Sequence, residues 1–286
     1  MVTDVVPAEE LVQYISPRLL EVQLDTNNVK LLVVGGAFLF FLFSLFPAYI
    51  MINMFPALRA MQFKQKVFTV LAVTRSLFGF FAIFLAGYSL LTTTNLDRDV
   101  VFGRTNTCTL GTYTCFGFFI FELFLSVASD IYFKTFSKML FAHHFLAMLW
   151  GLAVVYYDRY YSYFCKGILL EMSTPFSCIC FVLLKSGLGE SKLWKINQMV
   201  LIHTFHLRNV VECMMYYMTF KNWSHVIPNT PLPLLAIHHT CMFTVFFGMT
   251  PYWCYKKTMQ LFLKKDWSME NESETSSPPV EGKKSV

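Results

Sequence analysis

Charged residues are scarce in this 286-residue sequence, where only 14% of positions are Asp, Glu, Lys or Arg. Hydrophobic residues make up 55% and the mean hydropathy is +0.49, which is too apolar for an ordinary soluble domain of this length. The net charge of +5 does not indicate nucleic-acid binding, because the basic residues lie at the ends of apolar runs. The composition therefore predicts an integral membrane protein.

Metal-binding motifs are also missing from the sequence. The eight cysteines form no CxxC pair and have no histidine partners at zinc spacing, so we expect neither a metal centre nor a permanently bound cofactor. Cys108 and Cys165 fall near the same predicted face of the membrane, which leaves a disulfide between them open.

Long apolar segments recur along the chain, each with roughly the 20 residues that a helix needs to cross about 30 Å of hydrocarbon. We expect an all-α membrane protein whose seven transmembrane helices lie at about 31–55, 67–91, 111–133, 139–157, 163–185, 193–220 and 232–255. Lysines follow every second segment, and the positive-inside rule places these loops in the cytosol and the N-terminus in the lumen.

The predicted organisation is a lumenal segment at 1–30, a first transmembrane helix at 31–58, a membrane domain at 59–265 and a disordered cytosolic tail at 266–286. The first thirty residues lack the pattern of a cleaved signal peptide. The tail ends with Lys283 and Lys284 followed by two further residues, which is the spacing of the dilysine signals that coat proteins bind. We therefore expect residence in the endoplasmic reticulum membrane, with cycling through the compartment between it and the Golgi.

Several ionisable residues lie inside the predicted spans, although an ionisable group in hydrocarbon costs several kcal/mol unless it is paired or faces water. A rise of about 1.5 Å per residue places them about 12–21 Å deep. The candidates for substrate binding in this layer are Arg75, Glu122, His203, His206 and Arg208. Arg75 with Glu122, or Arg208 with Glu212, are alternatively ion pairs that only hold helices together.

Two adjacent histidines, His143 and His144, lie somewhat closer to the cytosol in the fourth segment. Adjacent helical residues point about 100° apart, so only one of the two faces a central cavity squarely. A neutral imidazole can accept a proton or attack a thioester, while a carboxylate such as Glu171 orients the ring. A purely structural role for each residue stays open. A second pair, His238 and His239, is predicted to lie at the lumenal interface.

The segments at 141–149 (FAHHFLAML) and 169–176 (LLEMSTPF) resemble the TLC family, which includes ceramide synthases. Further segments at 74–79, 117–122, 193–198, 202–208 and 251–258 resemble the branch of that family associated with neuronal ceroid lipofuscinosis, and the likeness covers about 60–267. The family resemblance implies six helices forming a barrel around a lipid cavity, with one additional helix. It also implies catalytic roles for His143, His144 and Glu171.

The resemblance is incomplete, because Thr174 stands where ceramide synthases have a second aspartate. A sphingoid amine is therefore not the expected acceptor. The lipofuscinosis branch implies transfer of a fatty acyl group from acyl-CoA, as co-substrate, to a glycerophospholipid hydroxyl, with phosphatidylglycerol favoured and the product supplying lysosomes. The same branch also implies a cargo receptor that exports lysosomal enzymes from the endoplasmic reticulum. A lipid-binding barrel without catalysis is a third alternative, and a homodimer is compatible with each.

Overall fold

The computed structural model describes residues 24, 26–92 and 98–263, and over these residues the secondary structure is helical without a strand. Two short helices, Pro56–Arg59 and Trp223–Asn229, lie in connections between longer ones. The long helices are α1 Asn27–Met54, α2 Phe63–Thr92, α3 Asn106–Phe133, α4 Lys138–Tyr157, α5 Tyr161–Lys185, α6 Lys192–Lys221 and α7 Leu232–Leu263.

These helices coincide with the seven predicted spans, and the all-α membrane fold is confirmed. Six of them, in the part of the chain that the structure describes, are long and apolar enough to cross a membrane by length and composition. The exception is α6, whose 30 residues suffice in length but include a buried row of polar side chains. That row consists of Asn197, Gln198, Arg208 and Glu212.

The helices α2 to α7 form a closed ring. Contacts run in the order α2, α3, α4, α7, α6, α5 and back to α2, while α1 packs outside against α3 and α2. Gly117 permits the close approach of α1 to α3, because a Cβ there would lie 2.4 Å from the backbone oxygen of Val34. The arrangement confirms the predicted six-helix barrel with one additional helix.

Two helices of the ring are irregular where they border its interior. The helix α5 passes through a 3-10 segment, Leu169–Ser173, immediately before Pro175, which lacks the N–H that would continue the α-helical ladder. The helix α7 contains a π-helical segment, Thr244–Met249, and segments of this kind are frequent at functional sites.

At the end of the ring opposite Lys138 and Lys185, polar contacts tie the loops to α1. Asp158 accepts hydrogen bonds from Lys30 at 3.3 Å, Arg104 at 2.7 Å and the Tyr161 hydroxyl at 2.7 Å. The carboxylate is thus a junction between α1, the connection before α3 and the start of α5.

The cysteine pair considered from the sequence lies at the same end. Cys108 and Cys165 are both buried and are not disulfide-bonded, and the Cys108 thiol donates to the backbone oxygen of Tyr161 at 3.3 Å. The predicted lumenal segment up to residue 23, the tail at 266–286 and the dilysine pair Lys283 and Lys284 lie outside the described residues.

Candidate functional site

His143 and Glu171 are in direct contact inside the ring. The Nε2 atom of His143 lies 3.0 Å from Oε1 of Glu171, and the Thr174 hydroxyl donates to Oε2 of the same carboxylate at 2.7 Å. Both side chains are largely buried, His143 at 12% and Glu171 at 9% exposure. The 3-10 segment ahead of Pro175 presents Glu171 to α4, so the two groups meet despite the several ångströms between their predicted depths.

His144 points into a separate group of charged residues. Its Nδ1 atom lies 3.6 Å from Oε1 of Glu122, which also accepts from Arg75 Nε at 2.7 Å and from the Ser126 hydroxyl at 2.9 Å. Arg75 further donates to Ser126 at 3.2 Å. The ion pair between Arg75 and Glu122 that the sequence suggested is therefore present, and the Glu122 side chain has no solvent exposure.

The two imidazole rings therefore lie next to different carboxylates, His143 next to Glu171 and His144 next to Glu122. Their ring centroids are 5.2 Å apart and the ring planes are inclined by 54°. The predicted divergence of adjacent helical residues is confirmed, with His143 directed towards α5 and His144 towards α2 and α3.

Arg208 is the cation beside Glu171. The guanidinium donates to the Ser173 hydroxyl at 3.1 Å and lies 5.5 Å from the Trp253 ring, which itself contacts the His143 ring at 5.2 Å. The Nε and Nη2 atoms of Arg208 are buried and have no hydrogen-bond partner among the described residues. These nitrogens are donors available to an anionic or carbonyl group inside the ring.

The suggested Arg208–Glu212 ion pair is wrong, because within the described ranges no ion pair joins these residues. Glu212 instead accepts from the Thr250 hydroxyl on α7 at 2.6 Å. Its other oxygen is buried without a partner among the residues described.

His203 and His206 do not share the buried layer with Arg208, which corrects the expectation from depth. Both lie on the exposed face of α6, with ring centroids 6.1 Å apart, and His206 contacts the Cys254 thiol at 3.7 Å. On an α-helix at about 100° per residue, Arg208 points about 160° away from His206, so one face cannot present both side chains. Similar depth does not imply a common site.

A cavity of about 40 Å³ lies beside the His143–Glu171 pair. Since one water needs roughly 10–15 Å³ on this measure, the cavity accommodates a few waters and not a hydrocarbon chain. Its walls are otherwise mainly apolar, with Phe119 and Leu170 on the side of α3 and α5, and Val245 contributed by the π-helical segment of α7. The ring interior is thus largely filled by side chains.

Trp150 forms the end of this cavity and separates it from the second histidine pair. His238, near the start of α7, is buried at 1% exposure. Aromatic rings surround it: Trp150 at 5.5 Å, Tyr160 at 5.0 Å and Tyr163 at 4.8 Å between centroids. Nδ1 of His238 is buried without a hydrogen-bond partner in the described part of the chain.

Two residues near the site carried no clear signal in the sequence. Lys166 is buried at 2% and donates to the Ser162 hydroxyl at 3.0 Å, an i, i+4 contact that the sequence spacing permits. Trp253 joins His143 to Arg208, and only its position within the segment at 251–258 pointed to it.

Comparisons with known proteins agree with this fold. The family model described as the TLC domain matches residues 62–258. Protein CLN8 of Canis lupus familiaris is 36% identical over 223 residues, which cover 78% of this chain and 77% of that protein. Protein CLN8 of Homo sapiens is 35% identical over 225 residues, covering 78% and 79% respectively. No solved structure matches the chain.

Proposed function

Because the chain belongs to the TLC-domain family of lipid-related, multi-pass membrane proteins, we propose that it transfers a fatty acyl group from acyl-CoA to a lipid hydroxyl. The favoured acceptor is a glycerophospholipid, phosphatidylglycerol above all, and the favoured location is the endoplasmic reticulum membrane. The observation that carries the proposal is the buried His143–Glu171 contact at 3.0 Å beside a cavity.

In the proposed reaction, His143 is the general base. With its Nε2 turned towards Glu171, the Nδ1 atom accepts the proton of the acceptor hydroxyl, and the oxygen attacks the thioester carbonyl carbon. The carbon–sulfur bond breaks, coenzyme A leaves as the thiolate and the imidazolium returns the proton to it. Glu171 stays ionised throughout and stabilises the imidazolium, while Thr174 holds its second oxygen.

An alternative path makes an imidazole the nucleophile. His143 or His144 attacks the thioester carbonyl carbon, the carbon–sulfur bond breaks, and coenzyme A leaves as the thiolate from an acyl-imidazolium. The lipid hydroxyl oxygen then takes the acyl group from the ring nitrogen in a second step, and its proton passes to the thiolate. The buried donors of Arg208 support either path, because they suit the acceptor phosphate or the carbonyl oxygen on which negative charge develops. Glu122 is held by Arg75 and Ser126 and lies 3.6 Å from Nδ1 of His144.

The small cavity sets a condition on this mechanism. About 40 Å³ does not hold an acyl chain, so substrate binding has to separate helices of the ring. The π-helical segment of α7 borders the cavity through Val245, and Gly248 in the same segment would meet nothing within 4 Å if a Cβ were added. We assign the opening to this segment of α7.

Purified protein incubated with labelled acyl-CoA and phosphatidylglycerol tests the proposal. We expect His143→Ala and the His143→Ala/His144→Ala double variant to lose transfer by about 10²–10⁴-fold, the usual contribution of a general base. His225→Ala, a partly exposed histidine in the loops, is the control and should retain transfer. Unchanged transfer in folded variants that lack both histidines would reject the mechanism.

The second candidate is a cargo receptor for lysosomal enzymes, and the dilysine spacing of Lys283 and Lys284 favours it because receptors must cycle. Cells that lack the protein discriminate the two functions. If His143→Ala/His144→Ala restores enzyme export fully while Lys283→Ser/Lys284→Ser does not, the transport role is the primary one. If the histidine variant fails and the tail variant succeeds, chemistry is primary.

A further inference from the structure

A second cavity lies outside the ring, between α1, α2 and α5. It has a volume of about 370 Å³, compared with about 40 Å³ for the cavity beside Glu171. We call it the α1–α2–α5 groove; it is lined by Met51, Val73, Ser76, Leu77, Phe80, Cys178, Ile179, Val182 and Leu183.

The groove is open on its outer side and closed on its inner side. Met51, Leu77 and Phe80 are between 40% and 46% exposed, whereas Cys178 and Leu183 are buried. At one end α2 and α5 come into contact, because a Cβ at Gly79 would lie 2.4 Å from Cδ of Pro175. The shape is therefore a blind slot whose open side faces the surroundings of the ring.

The lining excludes a polar ligand. It contains no charged side chain, and its polar groups are the Ser76 hydroxyl and the Cys178 thiol. A hydrocarbon chain gains by burial against such a surface through close packing, since in a bilayer the alternative is contact with other chains.

Two of the helices that border the groove, α2 and α5, carry a lysine at the same end of the groove. Lys66 precedes Val73 by seven residues, and Lys185 follows Cys178 by seven, so each lysine shares a face with groove residues of its own helix. Along the helix axis, Lys66 lies about 10 Å from Val73, and Lys185 lies about 10 Å from Cys178. Because α2 and α5 run in opposite directions, both lysines mark the end of the groove away from Gly79.

The Lys66 ammonium is held at this end of the groove. It donates to the backbone oxygen of Arg59 at 2.9 Å and to Oδ1 of Asn53 at 3.3 Å. An ammonium has three donors, so one is left for a further acceptor after these two contacts. The exposed side chain of Arg59 adds a further positive charge to the same connection.

We propose that the α1–α2–α5 groove binds one acyl chain of an anionic glycerophospholipid from the leaflet nearer Lys66, with the lipid phosphate at the level of Lys66 and Lys185. The apolar slot favours a hydrocarbon chain, and the lysines favour a lipid with a negatively charged headgroup. The groove is separate from the His143–Glu171 pair, so lipid binding there does not depend on the proposed acyl transfer.

Mass spectrometry of the intact purified protein, titrated with dioleoyl phosphatidylglycerol or dioleoyl phosphatidylcholine, tests the proposal. We expect tighter binding of the anionic lipid. Leu77→Trp fills the groove and should weaken its binding by about tenfold or more, as should Ile179→Trp from the opposite wall. Phe84→Trp is the matched control, because Phe84 is 74% exposed on the same helix outside the groove.

Charge variants test the second half of the proposal. Lys66→Gln should reduce the preference for phosphatidylglycerol over phosphatidylcholine by about fivefold, as expected for one basic residue near a lipid surface. Lys64→Gln, an exposed lysine two positions away on another face, should leave the preference unchanged. Equal affinity for the two lipids, or wild-type binding by folded Leu77→Trp and Ile179→Trp, would overturn the proposal and reduce the groove to a surface contacted by bulk lipid.

Discussion

Two pairs of adjacent histidines occupy the ring, and their surroundings differ sharply. On α4, His143 is hydrogen-bonded to the Glu171 carboxylate, and His144 lies 3.6 Å from the Glu122 carboxylate with its buried Nδ1 beyond hydrogen-bond distance. His238 on α7 faces aromatic rings, and its Nδ1 has no hydrogen-bond partner among the described residues. A carboxylate fixes the tautomer of an imidazole and stabilises its protonated form, whereas an aromatic wall does neither to the same degree. The same dipeptide therefore meets carboxylates in one place and aromatic rings in the other.

The largest test of this contrast is removal of the cation beside the first pair. Arg75→Met leaves Glu122 buried without its partner, and we expect a loss of about 3–5 kcal/mol in the free energy of unfolding. Denaturant unfolding in detergent measures it. The Arg75→Met/Glu122→Met double variant should recover much of the loss, and a double variant as unstable as the single one would contradict this account.

A smaller effect is expected at the wall between the pairs. A Cβ at Gly167 would lie 2.4 Å from Cζ3 of Trp150, so Gly167→Ala forces the indole towards the cavity or towards His238. We expect overpacking to cost about 1–3 kcal/mol and to lower acyl transfer. Gly87→Ala is the control, because nothing lies within 4 Å of a Cβ there. Equal melting temperatures for the two variants would show that the Trp150 indole moves without a cost in stability.

Replacing one histidine of each pair by phenylalanine compares them directly. His143→Phe removes a hydrogen-bond partner of the buried Glu171 carboxylate and should cost roughly 1–2 kcal/mol. His238→Phe removes a nitrogen that has no partner in the described part of the chain and should be neutral or stabilising. Thermal melting of both variants measures the two changes in stability. Equal losses would mean that the hydrogen bond between His143 and Glu171 does not stabilise the protein.

The smallest expected effect concerns acid stability of the loops next to the second pair, where the Trp223 ring contacts His239 at 6.2 Å. Partial burial opposes ionisation of Asp99, but hydrogen bonds from the Phe102 N–H and the His225 ring outweigh it and hold the carboxyl pKa below its usual value of 3.8. Because the folded pKa is the lower one, this contribution is complete above the unfolded pKa and is lost as pH falls through the folded value.

Melting temperatures of the wild type and Asp99→Asn between roughly pH 3 and 6 measure this contribution. We expect the wild type to lose more stability than the variant at the acid end. The difference is small, since Asp99 is 38% exposed and solvent screens its contacts. If the melting temperatures of the two proteins change in parallel with pH, Asp99 does not contribute to acid stability.

The helices were predictable from the sequence because apolar run length and flanking lysines mark where a bilayer helix begins and ends. The prediction for the sixth span, 193–220, differs by one residue at each end from Lys192–Lys221. The last helix continues to Leu263 instead of ending near 255, because Lys256 and Lys257 mark the end of the apolar run but lysine is a good helix former and does not end the helix.

The candidate site was predictable only in part. Depth along a helix identified Arg208 as a member of a polar layer, whereas the paired histidines and the family resemblance identified His143 and Glu171, which depth placed several ångströms apart; the structure brings their elements together. Depth says nothing about rotation around the helix axis, so it wrongly joined His203 and His206 to this group. The 3-10 segment that presents Glu171 depends on Pro175 and on the packing of α5 against its neighbours, which no single-helix pattern contains.

The polar row of α6 has a consequence for biosynthesis. A segment whose apolar residues are interrupted by so many polar ones is poorly retained by lipid alone when it leaves the translocation channel. Its partners come from other helices: Asn197 donates to the Phe176 carbonyl of α5 at 2.8 Å, and Thr250 of α7 donates to Glu212. Since α7 is synthesised last, stable integration of α6 has to await the end of translation, and nascent chains truncated before α7 should be recognised by membrane quality control.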